Sequence, residues 1–172
     1  MGNFYTNLVL IGSDSAKVLE AMDDMGRNAY VIGDSRRHSV VFDERCDEQD
    51  TDEIERLGAA LSDRFHVPVI GSMNHDDDLL FFWLFHSGRV VRYETRRDAI
   101  SFAWELSRIR GGIVIFPFLV IALSWPMIFQ VFRHQLVVRL LRLPDFTVGL
   151  GHHYITEGDL PDGLSDDDFK RS

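Results

Sequence analysis

The densest set of ligand-type side chains in the sequence is Asn74-His75-Asp76-Asp77-Asp78. Three carboxylates and an amide oxygen suit a hard cation such as Ca²⁺ or Mg²⁺, and His75 adds a ligand that favours a transition metal. The spacing lacks the alternate oxygen ligands and late Glu of an EF-hand. Asn and Asp also form turns, because their side chains bond nearby backbone amides, so the five residues read first as a structural turn. His153, of the pair His152-His153, could add a ligand to the same site. Neighbours on a strand face opposite sides, so the two histidines do not serve together, and a hydrogen-bonded histidine is the plainer reading. Gly12-Ser13-Asp14-Ser15 sits where phosphate loops occur but has a single glycine and no Gly-Lys-Ser/Thr ending. Asp14 would itself occupy the helix amides there. Cys46 stands among Asp43, Glu44, Asp47 and Glu48, which disfavour a thiolate and hence a nucleophile. No catalytic residue is assigned.

The elements that must position these groups follow from spacing. Residues 7–11 read as a strand ended by Gly12, and a helix capped by Ser13 or Asp14 runs to about Met25. Two strands, 29–32 and 38–42, flank a polar turn. Asp50 and Glu53 form a capping-box pattern before Ile54, Leu57, Leu61 and Phe65, which recur at helical spacing. Pro68 ends that helix, and a strand follows over 67–72. The run Leu79 to Phe85 has the length of a strand buried on both faces, and Ser87-Gly88 turns it into an edge strand over 89–94. Asp98 precedes a helix that buries Ala99, Phe102, Leu106 and Ile109. Another spans roughly 130–143, with Gln135, Arg139 and Arg142 opposite Leu136 and Leu140. A last strand is expected near His153-Tyr154-Ile155. The fold class expected is α+β: a mixed, mainly antiparallel sheet of about five or six strands with packed helices, plus a hydrophobic helical segment or hairpin. Residues 1–157 form one domain interrupted at 111–132, and 158–172 form an acidic flexible tail.

Two stretches, Val67 to Glu94 and Leu143 to Tyr154, carry an Asn-His-Asp loop before an aromatic hairpin and a late Leu-Pro-x-Phe…Gly segment. Together they resemble a group of small uncharacterised bacterial α/β proteins. The resemblance covers about half the chain and implies no activity. It also implies that residues 136–155 pack on the same body as the first hundred, and it lapses between Ile109 and Gln135.

That interval is the unusual one. Gly111 to Phe132 holds no charged residue in 22 positions. As one helix it would be about 33 Å long, enough to cross a hydrocarbon core of about 30 Å. Arg108 and Arg110 precede it; Arg133, His134, Arg139 and Arg142 follow. A single crossing, a hairpin entering and leaving one face with help from Pro117 and Pro126, and burial in the protein or a dimer are the three readings. The residues expected to touch a membrane or partner are Ile113, Ile115, Phe116, Phe118, Leu119, Ile121, Leu123, Trp125, Ile128 and Phe129. Arg108, Arg110, Arg133 and Arg139 flank them.

Charge supports the same division. The chain of 172 residues carries −9 overall. Between Arg89 and Arg142, nine arginines face three acids, a local +6, while the remaining 24 acids and nine bases make −15. The acidic balance argues against a nucleic-acid partner. One cysteine excludes an internal disulfide and fits a reducing compartment. Residues 1–5 lack the charged-then-apolar pattern of a signal peptide, so a cytoplasmic protein is expected, with the inner face of the cell membrane as its site of attachment. The expected function is a non-enzymatic interaction or membrane-associating module. It meets a membrane surface, a bilayer or a second copy through the apolar segment and needs no cofactor. The alternative is a small metal-dependent enzyme, or a metal or polar-ligand binder, centred on Asn74–Asp78 with a divalent cation.

Overall fold

Branched and aromatic residues concentrate in extended segments that pair into one sheet. The computed structural model describes residues 4–34, 37–76, 79–94, 96–110, 114–124, 130–161 and 163–172. Its strands are β1 (Tyr5–Ile11), β2 (Ala29–Gly33), β3 (His38–Asp43), β4 (Val69–His75), β5 (Leu79–His86), β6 (Arg89–Tyr93) and β7 (Lys170–Arg171). They run in the order β6-β5-β4-β1-β3-β2-β7, and every neighbouring pair is antiparallel. The fold is α+β, as the sequence pattern implies.

Alternation along the strands sends side chains to two helical layers. On one face Leu8, Leu10, Val31, Val41, Trp83 and Phe85 pack with Val18 and Met22 of α1 (Ser15–Asp24). Ile54, Leu57 and Leu61 of α3 (Thr51–Phe65) complete that layer, and Cys46 of the short α2 (Glu44–Asp47) joins it. On the opposite face lie Val9, Val40, Phe42, Ile70, Phe82, Leu84 and Tyr93, covered by later helices. These are α4 (Ala99–Arg110), α5 (Phe116–Ser124), α6 (Gln130–Leu141) and α7 (His152–Glu157). Central strands buried on both faces explain why the Leu79 to Phe85 run is almost continuously apolar.

Caps and ion pairs fix the first layer. Asp14 accepts the Ala16 N–H at the start of α1, and Asp50 accepts that of Asp52 at the start of α3. Glu53 is drawn off to Arg27, whose guanidinium also forks onto the buried Asp43 carboxylate. Gly58 lets α3 lie flat on β5: a Cβ there would stand 2.2 Å from the Phe85 ring.

Four expectations are corrected. Residues 153–155 are helical, because the Asp47 carboxylate accepts the His153 N–H at 2.9 Å and caps α7. Gly158, at φ +77, then ends that helix. The tail is docked. Phe169 packs edge-on to Phe42 and Tyr30, β7 pairs with β2, and the Ser172 hydroxyl donates to the Arg27 carbonyl at 2.7 Å. On α6 the inward residues are His134, Val137, Val138 and Leu141, while Leu136 and Leu140 are only half-buried.

The fourth correction concerns the apolar segment, read as one helix over its whole length, in which residues 114–115 form a turn. The helix that follows, α5, has nine residues and spans about 14 Å. Among the described residues no helix is long and apolar enough to cross a membrane. Ile113, Trp125, Ile128 and Phe129 lie outside the described residues, as do the side chains of Arg110 and Arg133. Leu119 and Leu123, expected to face a membrane or partner, are fully buried against the sheet. Two buried tyrosines hold this layer down. The Tyr93 hydroxyl donates to the Leu123 carbonyl at 2.6 Å, and the Tyr5 hydroxyl lies 2.8 Å from His134 Nδ1.

Candidate functional site

Of the Asn74–Asp78 cluster, Asn74 and His75 end β4 and Asp76 stands in the turn beyond it. Asn74 is buried, and its carbonyl accepts the Gln49 side-chain amide at 2.8 Å. His75 is exposed, with its Nδ1 on the Gln49 side-chain oxygen and its ring edge-on to Phe4 at 4.9 Å. Asp76 takes the left-handed conformation, φ +55, that Asp tolerates in a tight turn. Asp77 and Asp78 lie outside the described residues.

His153 does not join that loop; it is bound to Asp47. The Asp47 carboxylate holds His153 Nδ1 and the His153 N–H through one oxygen and the Thr6 N–H through the other. Gly151 is required for this approach, since a Cβ there would stand 2.5 Å from an Asp47 oxygen. With both oxygens engaged, Asp47 is a bracket between β1 and α7 rather than an open ligand. His152 beside it is buried against Tyr30, and burial lowers its pKa against the opposing pull of Asp47. Among the described residues no group of three or more His, Cys, Asp and Glu is placed to hold a metal ion.

The other residues considered for chemistry also have structural roles. Cys46 is buried, and burial, reinforced by Asp43, pushes its thiol far above the ordinary range. Gly12 turns the chain at φ +86, with its N–H donating to the Arg37 carbonyl.

What the structure leaves conspicuous is the outer face of α4 and α5. Phe102, Ala103 and Leu106 point α4 inward, which turns Ile100, Trp104 and Arg108 outward on one stripe at four-residue spacing. In α5, Leu119, Ala122 and Leu123 point inward, leaving Phe118 and Ile121 outside with Val114 of the preceding turn. Phe116 stands edge-on to Trp104 at 5.6 Å and joins the two helices. Ile100, Trp104, Val114, Phe118 and Ile121 are 44–72% exposed, five of the eight large exposed apolar side chains in the described residues. Scattered singly such residues would mean little; gathered on two packed helices they form a face.

Of the sequence-expected contact residues, Phe118 and Ile121 are on this face, Ile115 and Phe116 are half-buried, Arg108 is exposed on α4, and Arg139 is exposed on α6. Ile100, Trp104 and Val114 were not among the expected contacts. The signal for the first two was their position four residues apart on the side of α4 away from Phe102 and Leu106. No family model matches the chain, and no curated protein or solved structure matches it either.

Proposed function

We propose that the chain is a non-enzymatic module that docks on an anionic membrane surface through the outer face of α4 and α5. The observation that supports this best is the exposed set Ile100, Trp104, Val114, Phe118 and Ile121 on two packed helices. A Trp and a Phe beside aliphatic residues suit the boundary between headgroups and acyl chains, where the indole combines an apolar body with a polar N–H and the phenyl ring adds apolar area. The exposed Arg108 extends the same α4 stripe, and the segment from Arg89 to Arg142 is the basic part of an otherwise acidic chain. Anionic headgroups complement that charge, and the cytoplasmic leaflet is rich in them. A second copy meeting the same face would bring one exposed Arg108 toward another, which favours lipid as the occupant. The docking is superficial, since the inner side of α5 is committed to the core.

The test is flotation of the full chain with vesicles of phosphatidylcholine, with and without phosphatidylglycerol. The wild type is expected to float with the anionic vesicles, and the double variant F118S/I121S to stay behind with its melting temperature preserved. A wild-type chain that remains monomeric in detergent-free buffer and ignores both vesicles refutes the proposal. A dimer abolished by the double variant, without vesicle binding, replaces lipid by a second copy.

A further inference from the structure

A cavity of about 570 Å³ opens where the β5–β6 hairpin meets the C-terminal end of α4. Register determines its composition. His86 pairs with Arg89 at the end of the hairpin, just before the Ser87-Gly88 turn, and directly opposed residues share a face. Leu84 and Val91 lie on that face too and belong to the α4 side of the core. The cavity is therefore lined by Leu84, Val91, Ile109 and Pro68 on its apolar side, and by Arg89, Arg108, His86 and Glu105 on its polar side.

Its charge is unbalanced. Arg108 meets Glu105 at 3.4 Å, a long, exposed pair of little strength. Arg89 has no carboxylate within ion-pair distance among the described residues. Two guanidinium groups and one carboxylate leave one positive charge, which matches a phosphodiester monoanion better than a doubly charged phosphate. The apolar wall asks for a ligand with a hydrocarbon portion attached to that anion. Arg108 also lies on the Ile100–Trp104 stripe, so one helix carries the exposed apolar face at one end and the cavity at the other.

The geometry points to this cavity as the seat of the phosphodiester of a net-anionic phospholipid, held between Arg89 and Arg108 with its glycerol backbone over Leu84, Val91 and Ile109. The inference rests on the membrane-docking reading and gives it lipid selectivity: the apolar face supplies attachment, and the cavity supplies the preference for charge. A choline headgroup would set its cation against the same arginines and is disfavoured.

The experiment is calorimetric titration of the full chain with dihexanoylphosphatidylglycerol below its critical micelle concentration. Dihexanoylphosphatidylcholine and inorganic phosphate serve as comparisons. The phosphatidylglycerol monomer is expected to bind measurably more tightly than either. Arg89→Gln and Arg108→Gln should each weaken it about tenfold, the scale of one charge-assisted hydrogen bond. Lys17→Gln, on exposed α1 in the opposite layer, should leave it unchanged. Wild-type affinity in both arginine variants overturns the assignment, as does absence of binding. Equal affinity for inorganic phosphate replaces the lipid with a free-phosphate site. Because the monomer requires no bilayer, binding here combined with failed flotation would discard the docking proposal and keep the cavity. Flotation that persists in Arg89→Gln, with no binding of the monomer, would do the reverse.

Discussion

Acid should weaken the fold of this protein through His134. It sits on α6, wholly buried, stacked on Tyr5 and edge-on to Phe82, with Nδ1 facing the Tyr5 hydroxyl. Burial alone drives its pKa from the ordinary 6.5 down to about 3. In the unfolded chain the imidazole protonates near pH 6.5, whereas in the folded chain it stays neutral until about pH 3. Between those values the unfolded state binds one more proton, so folding stability falls as the pH falls, by about 1.4 kcal/mol per unit. Relative to pH well above 6.5, the loss at pH 4.5 is about 2.7 kcal/mol, a large share of the roughly 5–15 kcal/mol that holds a domain folded. The comparison that isolates it is His134→Gln, which keeps an oxygen to accept from Tyr5 and removes the titration. Urea unfolding followed by tryptophan fluorescence at pH 6.5, 5.5 and 4.5 gives the two slopes. Carboxylate contributions, such as that of Glu53 held below its usual range by Arg27, weaken on acidification in both proteins and cancel in the difference. The wild type is expected to lose about 2.3 kcal/mol more than the variant between pH 6.5 and 4.5, because at pH 6.5 the unfolded imidazole is already half protonated. Slopes that agree within about 0.3 kcal/mol per pH unit would refute the argument, because the ring would then titrate at nearly its solution value.

Three further perturbations read other parts of the structure. Gly58→Ala on an open helix would add roughly 1 kcal/mol of stability, but here the new methyl meets the Phe85 ring, so a net loss of about 2 kcal/mol is expected in denaturant unfolding. Leu119→Ala should cost about 3 kcal/mol, since the residue is fully buried, whereas Phe118→Ser next to it should stay within roughly 0.5 kcal/mol; equal costs would mean that α5 is turned differently. Adding Mg²⁺, Ca²⁺, Mn²⁺ or Zn²⁺ should leave the melting temperature unchanged. A site filled at a hundred times its dissociation constant would add about 2.7 kcal/mol, and a rise abolished by Asp76→Ala would restore the metal reading of the loop.

The elements most legible in the sequence are those whose neighbours are local. The apolar positions of α3 repeat along their own helix, and the aromatic run of β5 announces burial on both sides without reference to its partners. The strand expected at 153–155 fails for the opposite reason. Its helix depends on a carboxylate from Asp47, more than a hundred residues earlier, and nothing near His152 records that cap. The tail misleads in the same way. Its acidic composition describes solvated residues, yet Phe169 and Ser172 find Phe42, Arg27 and Ala29 through the sheet. On α6 the amphipathic reading placed Leu136 and Leu140 inside. His134 holds an inward position instead because Tyr5 offers it a hydrogen bond, and a rule based on apolarity has no place for that.

The apolar segment shows why length alone is an incomplete argument. Twenty-two residues without a charge satisfy the length requirement for a membrane span, but that rule treats every side chain as equally in need of an apolar solvent. In α5 the side chains divide. Leu119, Ala122 and Leu123 have found that solvent in the core beneath the sheet, and the Tyr93 hydroxyl secures the Leu123 carbonyl there. Their hydrophobicity is accounted for by folding and says nothing about a partner. Phe118 and Ile121 are not accounted for in this way, nor are Val114 and the two α4 residues Ile100 and Trp104. The case for docking therefore rests on five outward side chains, not on the segment as a whole. Under the proposed docking, five side chains on a surface of packed helices would insert shallowly at the headgroup boundary. A spanning segment would have to surrender the core contacts that hold α5 in place.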